Sequence, residues 1–201
     1  GYAQADSSIS EKVKDAQKYD GYLPFYWDAK TGKIWMEVEQ FEQEFLYVHS
    51  LTAGVGSNDI GLDRNQLGQE RVVKFERSGP KVLLVQVNYD YRAVSDNPDE
   101  QWAVEEAFAQ SVIGGFTVAA EEEGKVLIDL TSFLMRDAHG VADRLKSRKQ
   151  GSYKLETDRS AFYLERTKNF PKNTEFEVTL TFAGDPTGSW IRSVAPAPEA
   201  V

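Results

Sequence analysis

Residues 72–86 have the sequence VVKFERSGPKVLLVQ, and this stretch decides the fold class. Two apolar runs flank Ser78-Gly79-Pro80, a combination of residues that favours a tight turn. The pattern predicts an antiparallel β-hairpin formed by Val72–Arg77 and Lys81–Asn88. In the second strand, Val82–Val85 is apolar without alternation, which indicates a strand covered on both faces.

Two further hairpins are predicted on either side of this one. The first joins Tyr22–Trp27 to Ile34–Val38 through a short turn that contains glycine. The other joins Val112–Ala120 to Lys125–Leu130 through the acidic turn Glu121–Gly124. Three hairpins, without the strand–helix alternation of parallel sheets, favour antiparallel pairing throughout.

Two more strands are predicted outside these hairpins. Phe45–Leu51 is one of them, and the clearest two-residue alternation of the chain lies at 175–182. Such an alternation gives a strand one buried face and one wet face. We therefore expect Thr179 and Thr181 to face water and the apolar set to point inward: Phe176, Val178, Leu180 and Phe182.

Two helices are predicted between the strands. Asn97–Glu100 resembles a helix start with a proline in the first turn, and Trp102–Gln110 would follow as helix. The second spans about Ser132–Lys146, with Gly140 in its interior and an apolar face made of Leu134, Ala138, Val141 and Leu145. The fold class is therefore α+β, mainly antiparallel β in a sandwich- or barrel-like arrangement, with two helices.

The chain divides into three segments by composition. Residues 1–19 are polar and predict a flexible segment or one short helix, and residues 20–194 form a β-rich domain. Residues 195–201, APAPEAV, predict a linker or the cut end of a longer chain. Ala3-Gln4-Ala5 fits the end of a signal peptide, so we expect an exported protein that is periplasmic, associated with the outer membrane or secreted.

Charge and cysteine content exclude several functions. The net charge is −9 and the sequence has no basic stripe, which argues against a nucleic-acid partner. The chain contains no cysteine, so disulfides, thiolate zinc sites and cysteine nucleophiles are absent. No stretch approaches the roughly 20 apolar residues that a membrane-spanning helix needs, so we expect no transmembrane segment.

The sequence offers few residues for catalysis or metal binding. The two histidines, His49 and His139, are far apart and belong to no H-E-x-x-H motif, so we expect structural or surface roles for both. No G-x-S-x-G motif is present. We therefore predict no catalytic residue, no metal site and no cofactor in this chain. Four tryptophans are more typical of core packing than of a sugar-binding platform: Trp27, Trp35, Trp102 and Trp190.

The segment Ala53–Glu70, AGVGSNDIGLDRNQLGQE, is long for a connection between strands and rich in glycine. Long ordered loops of this kind are commonly functional. We expect it to be a docking loop between domains, with binding contributions from Gly54, Gly56, Asn58, Gly61, Asp63 and Arg64. The alternative is that Asp63 and Arg64 form ion pairs that brace the loop internally.

Four stretches resemble, in the same order, the N-terminal region of unknown function found in bacterial zinc-dependent metalloproteases. They are DGYLPFYWDAKTGKIWMEV, EFLYVHSLTAGVGSNDIGLDRNQLGQERVVKFERSGPKVLLVQVNYDYRA, VLIDLTSFLMRDAHGVADRL and NFPKNTEFEVTLTF. Together they cover most of residues 20–194. The resemblance implies a region that follows a signal peptide and precedes a separate catalytic domain with a metzincin-type zinc motif.

This chain contains no such zinc motif, so no catalytic residue carries over and zinc is expected only in the missing catalytic domain. The resemblance implies an accessory domain whose partner is its own catalytic metalloprotease domain, with a protein or peptide substrate as a further partner. It would stabilise that domain, cover its cleft or recruit substrate. The alternatives are an independent module that binds a glycan or cell-surface ligand, and a hydrolase whose site the sequence does not reveal.

Overall fold

The computed structural model describes residues 7–51, 66–87, 97, 111–189 and 199–200. The chain divides into two compact units. Unit 1 consists of 1–19, 23–47 and 70–130, and unit 2 consists of 20–22, 48–69 and 131–201. All strand pairs of the described residues are antiparallel, and the helices are short, so the predicted α+β class dominated by antiparallel strands is confirmed.

Unit 1 is built on one eight-stranded sheet with the order β1-β2-β3-β10-β9-β8-β7-β4. A single turn of helix, α1 (Ile9–Lys12), precedes the sheet. The strands are β1 (Gln17–Tyr19), β2 (Phe25–Asp28), β3 (Lys33–Val38), β4 (Phe45–Tyr47), β7 (Arg71–Ser78), β8 (Lys81–Gln86), β9 (Ser111–Glu122) and β10 (Lys125–Asp129).

The three predicted hairpins are all present in unit 1, and each has a turn whose chemistry explains it. Asp28 Oδ1 accepts hydrogen bonds from Lys30 N and Thr31 N, which closes the turn between β2 and β3. Gly79 has a φ of 58° between β7 and β8. Glu123 and Gly124 both have positive φ, as a two-residue turn of the primed type requires.

The apolar run in β8 is buried as predicted, and a bulge contributes to this. Val82, Leu84 and Val85 are buried, and Leu83 is half-buried. The register between β8 and β9 shifts at Leu84 and Val85. Because a bulge interrupts strict alternation, it lets two consecutive side chains be buried.

Residues 7–19 contain one short helix, which is one of the two expectations for the segment 1–19, and they pack into unit 1. Ile9 and Val13 are buried with Tyr26 and Trp35, and β1 pairs with β2. The helical spacing of Ile9 and Val13 is therefore the spacing of a buried face. Ser8 caps α1 by accepting a hydrogen bond from Glu11 N.

Unit 2 combines short strand pairs with two helices. It contains β5 (Ser50–Leu51) paired with β6 (Gln66–Leu67), and β12 (Lys168–Asn169) paired with β13 (Thr174–Glu175). Its three-stranded sheet has the order β11-β14-β15, formed by Gly151–Phe162, Val178–Pro186 and Glu199–Ala200. The helices are α2 (Thr131–Leu134), α3 (Val141–Ser147) and the 3-10 helix Leu164–Arg166.

The second predicted helix is interrupted, and Gly140 explains why. Gly140 has φ 74° and ψ 37°, the left-handed region, so α2 and α3 are separate helices. The Asp137 carboxylate caps α3 by accepting hydrogen bonds from Val141 N and Ala142 N at 2.8 and 3.0 Å. The first predicted helix, 97–110, lies outside the described residues apart from Asn97.

Two other boundaries differ from the sequence-based expectations. The single strand predicted over Phe45–Leu51 is two strands, because β4 pairs with β7 whereas β5 pairs with β6. The predicted linker at 195–201 contributes β15, whose Ala200 pairs with Phe182. No helix among the described residues is long and apolar enough to cross a membrane.

The predicted wet face of β14 is wrong at one position. Phe182 is buried and Thr179 is exposed, as expected, but Thr181 is only 5% exposed. Thr181 Oγ1 donates to Arg159 O at 2.7 Å, and Thr181 N donates to Ser160 Oγ at 3.0 Å. A register shift between Glu156 and Ala161 brings these groups to β14.

We predict that Thr181→Ala lowers the free energy of unfolding by about 1–2 kcal/mol, because it leaves the Arg159 carbonyl without this buried donor. Thr179→Ala, at an exposed position of the same strand, should cost about 0.5 kcal/mol or less. Thr181→Val keeps the shape and should reproduce most of the loss. Denaturant melts of the three variants measure this, and equal losses at positions 179 and 181 would contradict the assignment.

Candidate functional site

Of the glycine-rich segment Ala53–Glu70, the structure describes residues 66–70, which include β6, and β6 forms a two-stranded ribbon with β5, just before the segment. Ser50 pairs with Leu67, and Leu51 pairs with Gln66. The six predicted docking residues lie outside the described residues: Gly54, Gly56, Asn58, Gly61, Asp63 and Arg64. Their proposed role therefore stays a prediction, whereas the ribbon that carries the segment has a defined geometry.

Packing of Leu51 fixes the ribbon to the body of unit 2. Leu51 packs against a buried cluster formed by side chains from α3, β11 and β14, namely Val141, Leu145, Tyr153 and Phe182. Leu145 is fully buried in this cluster. A two-stranded ribbon is marginal by itself in water, so this apolar anchor contributes to holding it in place.

The two histidines of the chain meet beside this ribbon. His49 immediately precedes β5, His139 lies between α2 and α3, and their Nδ1 atoms are 3.3 Å apart. The two rings are perpendicular, with 5.3 Å between their centroids. Both side chains are half-buried. The two histidines, far apart in the sequence, are therefore neighbours in the fold.

Gly68 is the residue that makes room for His49. Its N–H donates to His49 O at 2.8 Å, which extends the ribbon by one hydrogen bond. A Cβ atom at position 68 would overlap the His49 ring, at Cε1, Nδ1 and Nε2. The absence of a side chain at Gly68 therefore lets the imidazole lie directly against the backbone.

The surroundings of His139 favour its neutral form. Burial lowers the pKa of His139 from its usual value, the nearby Asp137 carboxylate opposes this shift, and Arg144 adds to it. The capping hydrogen bonds of Asp137, two residues before His139, hold its carboxylate at the start of α3. A neutral imidazole retains a ring nitrogen with a free lone pair, which is the form that accepts a proton or binds a metal ion.

Apolar side chains near the ribbon are exposed to solvent. Val48 is 47% exposed and Leu67 is 67% exposed. Exposed aliphatic residues beside an anchored backbone are typical of contact surfaces when they are contiguous. The site thus combines an anchored ribbon, two imidazoles and an apolar edge, by which we mean the exposed side chains of Val48 and Leu67.

The other candidates from the sequence lie in unit 1. Trp35 is buried, with Lys12 Nζ 5.3 Å and Lys33 Nζ 5.2 Å from its ring centre, and Trp27 is half-buried. Trp35 is a core residue, as expected, whereas Trp102 and Trp190 lie outside the described residues. A cavity of about 230 Å³ is lined by Phe41, Arg77 and residues 121–126. Arg77 forms an ion pair with Glu121 at its wall.

Two family models match this chain. One is described as domain of unknown function DUF5117 and matches residues 65–198, and the other is described as domain of unknown function DUF5118 and matches residues 6–54. No curated protein and no solved structure matches the chain.

The two matched segments build one sheet together in unit 1. Strands β1 to β4 come from the segment 6–54, and β7 to β10 come from the segment 65–198. β3 pairs with β10 in the middle of the sheet, and β4 pairs with β7 at its end. The two families therefore describe parts of a common fold in this chain.

We predict that residues 65–198 alone do not fold cooperatively, because they lack β1 to β4 and the core residues that these strands carry. Phe25 and Ile34 are fully buried in the whole chain. Circular dichroism melts of the fragment should lack the sharp transition of the whole chain, and adding residues 1–54 as a separate peptide should restore it. A fragment that melts cooperatively by itself would contradict the shared fold.

We also predict that Gly68→Ala displaces the His49 ring and lowers the free energy of unfolding by about 1–3 kcal/mol, the usual cost of overpacking. Gly115→Ala is the matched control, since its Cβ would lie 3.6 Å from Leu83 Cδ2, an ordinary contact. Thermal melts measure the stability, and imidazole NMR signals report the ring. Unchanged His49 signals in Gly68→Ala would contradict the packing described for Gly68.

Proposed function

The chain belongs to the DUF5117 family of domains of unknown function, and from this premise we propose that it is a non-catalytic accessory region of an exported zinc-dependent metalloprotease. Its task is to dock onto the catalytic domain through the glycine-rich segment Ala53–Glu70. The resemblance of four ordered stretches to the N-terminal regions of such proteases supports the partner. The geometry of the β5–β6 ribbon supports the docking surface.

The anchored ribbon with an exposed apolar edge is the observation that carries this proposal. Leu51 packs inward against the core of unit 2, whereas Leu67, on the neighbouring strand, is 67% exposed. A partner that covers Leu67 and Val48 gains hydrophobic burial, at about 25 cal/mol per Å². Because the backbone beneath them is already anchored, less conformational entropy is lost on binding.

The zinc ion of the protease belongs to the partner domain in this proposal. Structural zinc sites use four protein ligands and catalytic zinc sites use three. Within the part of the chain that the structure describes, no group of three or more such side chains has an arrangement that could hold a metal ion. The accessory region therefore acts by contact, either stabilising the catalytic domain, covering its cleft or recruiting a protein substrate.

We predict that Leu67→Arg weakens binding to the separately produced catalytic domain at least tenfold, because it places a charge in the apolar contact. Asp63→Ala and Arg64→Ala should also weaken binding. All three variants should keep the melting temperature of the parent chain. Calorimetric titration measures the affinity for the catalytic domain that the proposal assigns to the same gene.

The matched control is Phe170→Arg, at a 43% exposed aromatic residue of the same unit outside the glycine-rich segment. It should bind the catalytic domain like the parent chain. A reading frame without a zinc-binding motif would end the protease proposal. Early melting of Asp63→Ala and Arg64→Ala with normal binding would instead support internal bracing of the loop.

A further inference from the structure

The two histidines of unit 2 form a close pair. Their Nδ1 atoms are 3.3 Å apart, within hydrogen-bonding reach of each other. A straight N–H···N contact of that length would place the ring centroids about 5.6 Å apart. The observed separation of the centroids is 5.3 Å, so the contact is bent rather than straight.

Two imidazoles that share a metal ion also have a short nitrogen–nitrogen distance and a bent arrangement. Two nitrogens that each lie about 2.05 Å from a tetrahedral ion are about 3.3 Å apart, and their ring centroids are about 5.2 Å apart. The observed values of 3.3 and 5.3 Å agree with both distances. We propose that His49 and His139 bind one divalent transition-metal ion of the zinc class through their Nδ1 atoms.

The contacts around the pair support metal binding. The ring of His49 is held against the backbone of Gly68, so it does not need to be ordered when the ion binds. His139 is held in a turn between two helices. Imidazole nitrogens prefer ions such as Zn²⁺, Ni²⁺ and Co²⁺, whereas Mg²⁺ and Ca²⁺ prefer oxygen ligands.

The site supplies two protein ligands from the residues that the structure describes. Water completes the coordination, so the ion binds more weakly than at zinc sites with three or four protein ligands. The ion links the segment that precedes β5 to the turn before α3, and this link stabilises the position of the ribbon within unit 2. This inference rests on the histidine geometry and is independent of the protease proposal.

The test uses the whole chain and the metal ion alone. At about 1 mM Zn²⁺ and pH 7.5, the melting temperature should rise by about 3 °C or more, since an ion that binds only the folded state stabilises it. The same concentration of Mg²⁺ should give no rise. His49→Asn and His139→Asn should each bind Zn²⁺ at least tenfold more weakly by calorimetric titration.

Asp143→Asn is the matched control, because Asp143 is exposed on α3 and is not one of the two ligands. It should bind Zn²⁺ like the parent chain. A second measurement needs no variant, so it remains decisive if the histidine variants fail to fold. In ¹⁵N NMR spectra of the parent chain, Zn²⁺ should shift the Nδ1 resonances of both histidines. Equal stabilisation by Mg²⁺, undiminished binding in either histidine variant, or unchanged Nδ1 resonances would each overturn the proposal.

Discussion

The antiparallel pairing of β3 with β10 is the interaction on which unit 1 depends. It joins Met36 to Ile128 and Val38 to Val126, and Leu130 N donates to Ile34 O beyond the strand end. Three strands lie on one side of this junction and five on the other, so no eight-stranded sheet exists without it. Pairing β3 with β10 closes the chain between them into a long loop. The entropic cost of this closure grows only slowly with loop length, by about 0.6 kcal/mol for each doubling. Burial of Ile34, Val38, Leu127 and Ile128 at the junction offsets that cost.

The sequence predicts the hairpins well because their determinants are local. Gly79 and the pair Glu123-Gly124 supply the positive φ angles that tight turns need, and the flanking apolar runs supply the strands. The order of strands in the sheet is not predictable in this way, since β3 and β10 carry no mutual signal beyond being apolar. The break at Gly140 and the buried Thr181 are also missed. The first depends on a backbone angle, and the second depends on a register shift in a strand distant in sequence.

The candidate site is likewise predictable from the sequence only where its signals are local. Glycine content and length indicate the segment Ala53–Glu70, and the structure places β6 within it, paired with β5 just before it. The histidine pair escapes sequence motifs because those motifs record ligands that are close in sequence, whereas His49 and His139 belong to distant segments. The only local sign of the pair is Gly68, next to β6, whose missing side chain makes space for the His49 ring.

The β5–β6 ribbon is weak by itself, so its anchors matter for the proposed docking. Each strand has only two residues, and a pair this short has too few hydrogen bonds to persist by itself. How often the ribbon is formed therefore depends on three contacts: the packing of Leu51, the hydrogen bond from Gly68 to His49 and the contact between the two histidines. An ion or partner that binds the formed ribbon more tightly than the open one increases the fraction of molecules in which the ribbon is formed. Because Leu67 is presented by the same ribbon, the population of the formed ribbon sets how often its apolar edge is available to a partner.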